Sequence, residues 1–203
     1  MHSITSTASA MEDIARGVRS LYPDIYVVSI EIGNGKVDSY LLPLDVQVEK
    51  FCESIDSNPR LREGFNLLGY SQGSIIARGA VECCSLPVYN LITLSDIHQD
   101  LLTKYAYVTA IQNAISPANY WRDPEQLDRY YSNCHYLSDI NNERGTPNGI
   151  YRENILKLNS FVMTYSNIDE VVMPRQSGLF MGYMKNSLEI ETWNNSRQFT
   201  TAE

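Results

Sequence analysis

The pentapeptide Gly69-Tyr70-Ser71-Gln72-Gly73 constrains the fold of this chain more than any other feature. Residues 65–68 before it form an apolar segment of strand length, and residues 74–81 after it carry apolar side chains at helical spacing. A G-x-S-x-G motif between a strand and a helix is typical of a nucleophile elbow, a strained turn that presents the serine. Side chains at either glycine would collide with the neighbouring strand and helix. We therefore expect Ser71 to be a nucleophile, with the amide N–H of Gln72 directed at an oxyanion.

The pattern along the chain predicts an α/β fold. Apolar stripes at helical spacing alternate with short β-branched and apolar runs, which suits a mostly parallel sheet with helices on both faces. The predicted strands are 25–30, 65–68, 88–94 and 161–165, and the predicted helices are 11–21, 44–55, the helix after Ser71, short pieces within 106–132, and 150–159. In such folds catalytic residues lie at the carboxyl ends of strands. Ser71, His98 and Asp169 each follow a predicted strand.

Composition limits the possible partners. The chain has 203 residues and a formal net charge of -8, so we expect one domain over 1–203 that binds neither nucleic acid nor an anionic membrane surface. No apolar run approaches the length of a membrane span, and the first ten residues lack the basic start and apolar stretch of a signal peptide. The cysteines do not have zinc-site spacing, so we expect no metal and no cofactor.

A serine nucleophile needs a base, and the base needs an acid to orient it. Asp169 is the candidate acid, because it follows a predicted strand in a loop that ends in Val-Val-Met-Pro; the alternative is an ordinary loop aspartate. In enzymes with a nucleophile elbow the chain order is serine, acid, histidine. The three histidines, His2, His98 and His135, all precede Asp169. His98 therefore fits a packed histidine near the elbow better than the general base.

The four cysteines, Cys52, Cys83, Cys84 and Cys134, leave two alternatives open. They are either buried free thiols or partners in a disulfide formed in an oxidising compartment. Composition does not distinguish the two.

Several blocks between Ser20 and Tyr183 resemble the lysosomal palmitoyl-protein thioesterases, which are α/β-hydrolases that cleave fatty acyl thioesters from protein cysteines. The blocks that carry the resemblance are residues 25–33, 64–73 with Ala77-Arg78, 90–94 with His98-Gln99, 120–124, 136–145, and 161–163 through Asp169, Pro174 and Phe180. The block at 136–145, Tyr-Leu-Ser-Asp-Ile-Asn-Asn-Glu-Arg-Gly, is the most specific to the family.

The resemblance implies a role for particular residues. Ser71 matches the family nucleophile, Asp169 the acid, and Gln72 the residue whose amide helps to form the oxyanion hole. Cys52 and Cys84 match a family disulfide, in which Cys83 replaces Cys84 if the alignment shifts by one residue; Cys134 has no counterpart. The implied partners are S-acylated proteins or fatty acyl thioesters, and the implied location is the lysosome or the cell exterior.

The chain departs from the family in three places. Family members begin with a signal peptide and an apolar strand that ends in a His-Gly motif, whose loop gives the second oxyanion donor; here we expect at most Met1 or His2 near that loop. Family members have a longer insertion with a further cysteine pair after the position of His98-Gln99, and in this chain it is shortened to residues 100–104. The family histidine lies several dozen residues beyond the acid, and we expect this domain to lack the C-terminal segment that bears it. We also expect the domain to lack the central N-terminal strand, which would lie between the strands at 25–30 and 65–68.

Three functions follow from these observations. The first is a thioesterase that uses Ser71. The second is a remnant or isoform without catalysis that binds a lipid chain or a partner. The third is a general lipid esterase on the same fold.

Overall fold

A three-stranded parallel sheet with strand order β1-β2-β3 forms the centre of the protein in a computed structural model that describes residues 1–94 and 105–195. The strands are Phe65–Tyr70 (β1), Val88–Leu94 (β2) and Ser160–Thr164 (β3). Leu91 of the middle strand pairs with Leu67 on one side and Phe161 on the other, and it is fully buried. The pair Gly182–Tyr183 (β4) and Ile190–Glu191 (β5) is antiparallel and separate. The α/β class with a parallel sheet is as predicted.

Helices occupy most of the intervening chain. They are Glu12–Leu21 (α1), Lys36–Leu41 (α2), Leu44–Asp56 (α3), Gln72–Cys84 (α4), Thr109–Gln112 (α5), Leu127–Asn133 (α6), Leu137–Ile140 (α7) and Gly149–Leu156 (α8). Short 3-10 turns lie at Ala8–Met11, Pro59–Leu61, Ser116–Tyr120, Pro124–Gln126, Arg175–Leu179 and Trp193–Asn195. Within the described ranges, no helix combines the length and apolar character needed to cross a membrane.

Helix α4 is the central helix of the main core. Residues 72–82 are all buried, and the helix packs against α3, α8 and the strands β1 and β2. Small residues allow this close packing: Ala77 and Ala80 have no exposed surface, and the space where a side chain at Gly79 would lie is filled by the Tyr136 hydroxyl. A second core is formed by side chains of the chain segment that connects β2 to β3 and carries the short helices. Because β1 ends at Tyr70 and α4 begins at Gln72, the start of α4 lies at the carboxyl end of β1.

The strand predicted at 25–30 is wrong. This segment is irregular, and its apolar side chains stay partly in water, with Ile25 and Val28 about 40% exposed. A strand requires a neighbour to complete its hydrogen-bond ladder, and none of the described strands lies beside it. Instead, the edge of β1 opposite β2 is occupied by Met1, whose ammonium group donates to the Leu68 carbonyl at 2.7 Å.

Cys52 on α3 and Cys84 at the end of α4 form a disulfide, which joins the two packed helices across a separation of 32 residues. Closing a loop of that length restricts the unfolded chain and stabilises the fold by about 4 kcal/mol in the chain-entropy model. Cys83 and Cys134 are free thiols. Burial raises the pKa of Cys134 to about 11, so this thiol stays protonated at neutral pH.

Glu82, near the end of α4, makes the stability of the fold depend on pH. Burial raises the pKa of its carboxyl to about 7, although Arg78 lies 3.8 Å away and opposes the shift, while Asp139 adds to it. Between about pH 4.5 and pH 7 the folded protein keeps a proton that the unfolded chain has released. The free energy of unfolding should therefore fall as pH rises through this window, by about 3 kcal/mol from this group.

Glu82→Gln should remove this part of the pH dependence, because the amide is neutral at every pH. Urea unfolding of both proteins from pH 4.5 to pH 8 measures the effect. Burial also raises the pKa of Glu143, whose contribution has the same sign as that of Glu82, whereas burial lowers the pKa of the Met1 amine to about 6 and that of His2, whose contributions have the opposite sign. The test is therefore the difference between the two proteins at each pH. Glu53→Gln, at an exposed position on α3, serves as the control and should keep the slope of the unchanged protein. An equally steep slope in Glu82→Gln would contradict the assignment.

Candidate active site

Ser71 lies at the turn from β1 into α4, with backbone φ 58° and ψ −129°. A positive φ is strained for any residue with a side chain, and such strain is found at functional turns. The flanking glycines leave no room for side chains: a Cβ at Gly69 would lie 2.5 Å from Cα of Ser74, and one at Gly73 would lie 2.5 Å from the carbonyl oxygens of Met1 and His2. The turn is anchored because the Ser71 N–H donates to the Leu94 carbonyl at 2.8 Å.

The first residues of the chain pass directly beside this turn. The Tyr70 N–H donates to the Met1 carbonyl at 3.1 Å, which continues the contact of Met1 with the edge of β1. Two residues later, the Ser3 hydroxyl donates to Ser71 Oγ at 3.0 Å. The sequence predicted at most Met1 or His2 in this place, whereas the side chain that contacts the candidate nucleophile is that of Ser3.

Hydrogen bonds fix the side chain of Gln72, the residue after Ser71. The side chain is buried, and its Nε2 donates to the Ser39 carbonyl at 2.7 Å while Oε1 accepts from Ser116 Oγ at 2.9 Å. The Ser39 carbonyl also accepts from Gln47 Nε2, and it lies 2.8 Å from Ser116 Oγ, whose single hydrogen is shared between this carbonyl and Gln72 Oε1. With its side chain fixed in this network, Gln72 begins α4, where the N–H groups of the first turn have no partner within the helix.

Asp169 lies in the loop that follows β3. Its Oδ1 accepts backbone N–H groups from Val171 at 2.8 Å and Val172 at 3.0 Å. The Arg175 side chain donates to the carbonyls of Asp169 and Asn167 and so closes the loop. Within the described residues no hydrogen bond uses Oδ2, which leaves this oxygen as an acceptor for another group.

Ser71 and Asp169 lie at the same edge of the sheet without touching. Ser71 follows β1, Asp169 comes five residues after β3, and β2 lies between these strands. Two strand spacings amount to about 10 Å. No hydrogen bond joins the two side chains within the ranges 1–94 and 105–195. In a triad an imidazole stands between the serine and the acid, so the two side chains need not touch.

No histidine of the described part of the chain is hydrogen-bonded to Ser71. His2 is buried, which lowers its pKa; its Nδ1 donates to the Ser3 carbonyl at 2.8 Å, and its Nε2 has no partner among the described residues. His135 lines a cleft with Cys83 and Cys84 at the far end of α4. That helix of 13 residues is about 20 Å long, which separates His135 from Ser71. His98 lies outside the described residues.

Residues of the block at 136–145 form hydrogen bonds with α4, the helix that follows Ser71. The Tyr136 hydroxyl donates to the Ile75 carbonyl at 3.0 Å, and Asn141 Oδ1 accepts from Arg78 Nη2 at 2.6 Å. Asn141 also donates to the buried carboxylate of Glu143, which lies 3.9 Å from the Arg122 guanidinium. A buried polar network whose members are paired fixes the position of the elements that it joins. These residues thereby hold α4, and with it the turn at Ser71.

Sequence reasoning missed several residues of the site. They are Ser3, Ser39, Gln47 and Ser116, single polar residues that belong to no motif. Their contacts with Ser71 and Gln72 join positions 25 to 68 residues apart, so no local pattern predicts them. Among the described residues no group of three or more histidine, cysteine or acidic side chains could hold a metal ion.

The chain is similar to a known family over nearly its whole length. A family model described as "Palmitoyl protein thioesterase" matches residues 1–202. The chain is 38% identical over 202 residues to Palmitoyl-protein thioesterase 3 of Dictyostelium discoideum, and the match covers 92% of this chain and 70% of that protein. It is 28% identical to Palmitoyl-protein thioesterase 1 of Caenorhabditis elegans, covering 82% and 64% of the two chains. It is 26% identical to Lysosomal thioesterase PPT2 of Homo sapiens, covering 94% and 69%.

Proposed function

Since this chain belongs to the palmitoyl protein thioesterase family, we propose that it hydrolyses fatty acyl thioesters of protein cysteines with Ser71 as the nucleophile. The observation that carries the proposal is the strained turn at Ser71, which lies between β1 and α4 and is enclosed by glycines that cannot hold a side chain. This geometry makes the hydroxyl available for attack. Asp169 after β3 supports the proposal, because it offers a free carboxylate oxygen at the same edge of the sheet.

In the proposed reaction Ser71 Oγ attacks the carbonyl carbon of the thioester while a base takes its proton. The carbonyl π pair moves onto oxygen, and the Gln72 N–H donates to the resulting oxyanion. The C–S bond then breaks, the cysteine thiol leaves with the proton from the base, and water hydrolyses the acyl-serine by the same sequence of steps. Asp169 orients the base and stabilises its cationic form.

The base in this proposal is a histidine placed after the acid, in the order typical of enzymes with a nucleophile elbow. Residues 170–203 contain none. Whether a histidine follows in the gene is therefore the question on which activity depends, and sequencing the gene beyond residue 203 answers it directly.

We assign the protein to an oxidising, acidic compartment, and the lysosome fits best. The Cys52–Cys84 disulfide supports an oxidising environment, and a relative carries a lysosomal name. Burial of Glu82 also fits acid conditions, because its carboxyl is protonated there and needs no ion-pair partner. The expected partners are S-acylated proteins, with no requirement for a metal or cofactor.

Substrate class separates a thioesterase from a general lipid esterase. The complete gene product should hydrolyse a palmitoyl thioester with a kcat/KM more than about tenfold above that for the oxygen ester of the same acyl chain, a difference of about 1.4 kcal/mol in the barrier. A series of acyl lengths measured on both ester types tests this. Equal rates on thioester and oxygen ester would favour the lipid esterase.

A binding function without catalysis is the second candidate. One observation favours it: no described histidine reaches Ser71. A serine-reactive fluorophosphonate separates the two functions, because it labels an activated serine only. Labelling of Ser71, located by peptide mass spectrometry, supports the enzyme, and absence of labelling in the complete gene product supports a protein that only binds lipid or a partner.

A further inference from the structure

We propose that the Ser3 hydroxyl is a side-chain donor of the oxyanion hole, and therefore a catalytic residue of this enzyme. The observation behind it is the hydrogen bond from Ser3 Oγ to Ser71 Oγ at 3.0 Å, which joins residues 68 positions apart. The inference rests on the proposed function, since it assumes that Ser71 is the nucleophile. It adds a donor that neither the elbow motif nor the family resemblance supplies.

During the attack, the strongest hydrogen-bond acceptor near the Ser3 hydroxyl changes from Ser71 Oγ to the carbonyl oxygen of the substrate. Before attack, Ser71 Oγ is the acceptor of the Ser3 hydroxyl. When Oγ bonds to the carbonyl carbon it becomes an ether-type oxygen of the tetrahedral intermediate, a weaker acceptor, and full negative charge develops on the former carbonyl oxygen. Both oxygens are then bonded to one carbon, so rotation of the Ser3 side chain transfers its hydrogen bond from one to the other. An interaction that strengthens only in the transition state raises kcat.

The backbone on either side of Ser3 is held in place, as a preorganised donor requires. Before Ser3, the Met1 carbonyl accepts from the Tyr70 N–H, and the carbonyl oxygens of Met1 and His2 lie against Gly73. After Ser3, the Thr5 N–H donates to Ser39 Oγ at 2.8 Å. At Ser3 itself, the carbonyl accepts from His2 Nδ1 at 2.8 Å.

Ser39 connects this segment to the other oxyanion donor. Its hydroxyl accepts from Thr5 N–H, and its carbonyl accepts from the Gln72 side chain at 2.7 Å. One residue therefore holds the backbone beside Ser3 and the side chain of Gln72. We assign Ser39 as a positioning residue, since it acts through Ser3 and Gln72 and does not touch the reacting atoms.

The first test uses the complete gene product and a palmitoyl thioester. Ser3→Ala should lower kcat by about 10- to 100-fold with KM unchanged, because it removes one donor from the transition state. Ser3→Thr keeps the hydroxyl and should retain most of the rate. Ser9→Ala is the matched control, since Ser9 is an exposed serine of the same segment whose hydroxyl bonds only to Thr7 Oγ1 among the described residues.

The second test does not need turnover and uses the same protein as the first. A dodecylboronic acid should add the Ser71 oxygen to its trigonal boron, release the serine proton to solvent, and give a tetrahedral anion that resembles the intermediate. Ser3→Ala should weaken binding by about tenfold, as expected for loss of one hydrogen bond to a charged oxygen, and Ser3→Thr should not. Titration calorimetry measures both.

The outcomes separate the two proposals. If Ser71→Ala abolishes turnover and boronate binding while Ser3→Ala changes neither, the role of Ser3 is wrong and the proposed function stands. A faster Ser3→Ala enzyme would also overturn the role, because Ser3 would then only restrain the resting nucleophile. If Ser71→Ala retains turnover and boronate binding, the nucleophile itself is wrong.

Discussion

Replacing Ser71 by alanine should abolish palmitoyl-thioester hydrolysis in the complete gene product, with a loss of about 10⁴- to 10⁶-fold in kcat. The reason is that Ser71 is the one serine of the described chain with positive φ at a turn from a strand into a helix; Ser85, the other described serine with positive φ, ends α4 instead. Alanine keeps the Cβ of serine, so the backbone at φ 58° is not strained further. The thermal unfolding curve should therefore stay close to that of the unchanged protein.

Turnover of the palmitoyl thioester and labelling by a fluorophosphonate measure this prediction together. Ser54→Ala is the control, because the Ser54 hydroxyl donates only to the Lys50 carbonyl of its own helix among the described contacts. This variant should keep both turnover and labelling. Retained turnover in Ser71→Ala would show that another residue is the nucleophile.

The polypeptide of residues 1–203 should turn over palmitoyl thioesters weakly or not at all. A triad that loses one member keeps only about 10³- to 10⁴-fold acceleration over water, from the oxyanion hole and binding. In this polypeptide the three histidines precede the acid. His135 lies at the far end of α4, and the Nδ1 of His2 is engaged by the Ser3 carbonyl.

Robust turnover by residues 1–203 would contradict this prediction and assign the base to His98 or His2. His98→Ala and His2→Ala, measured separately, would then identify which one acts. His135→Ala serves as the control, since its place on the cleft beside Cys83 excludes it from the reaction.

The same polypeptide should also be poorly stable. Several large apolar side chains at the end of α1 and in the segment after it are exposed, among them Leu21 at 76% and Tyr22 at 64%. Apolar patches of this kind promote aggregation. Calorimetry of residues 1–203 should show a broad or absent transition, and a sharp, reversible one would contradict the expectation.

The segment at 25–30 shows where sequence reasoning fails. Its β-branched residues have a local preference for extended backbone and so predict a strand, yet the segment is irregular. Strand formation depends on hydrogen bonds to another segment, and that neighbour is a property of the whole fold. The strands at 65–70, 88–94 and 160–164 were predictable to within two residues because each finds a parallel partner.

The elbow could be predicted because its parts are contiguous. A strand, a glycine-flanked serine and a helix follow one another within about twenty residues, so local sterics determine the turn without reference to the rest of the chain. The family resemblance likewise pointed to Cys52 and Cys84, whose sulfurs the structure joins.

The surroundings of Ser71 could not be predicted in this way. Ser3 contacts the candidate nucleophile, and Ser39 links Thr5 to Gln72, only because the chain returns to the same place from 33 to 68 residues away. Such hydrogen bonds depend on distances of a few tenths of an ångström between segments that share no local pattern. The amino-acid order therefore determined the turn and the candidate nucleophile that it presents, while tertiary packing alone decided which hydroxyl stands beside it.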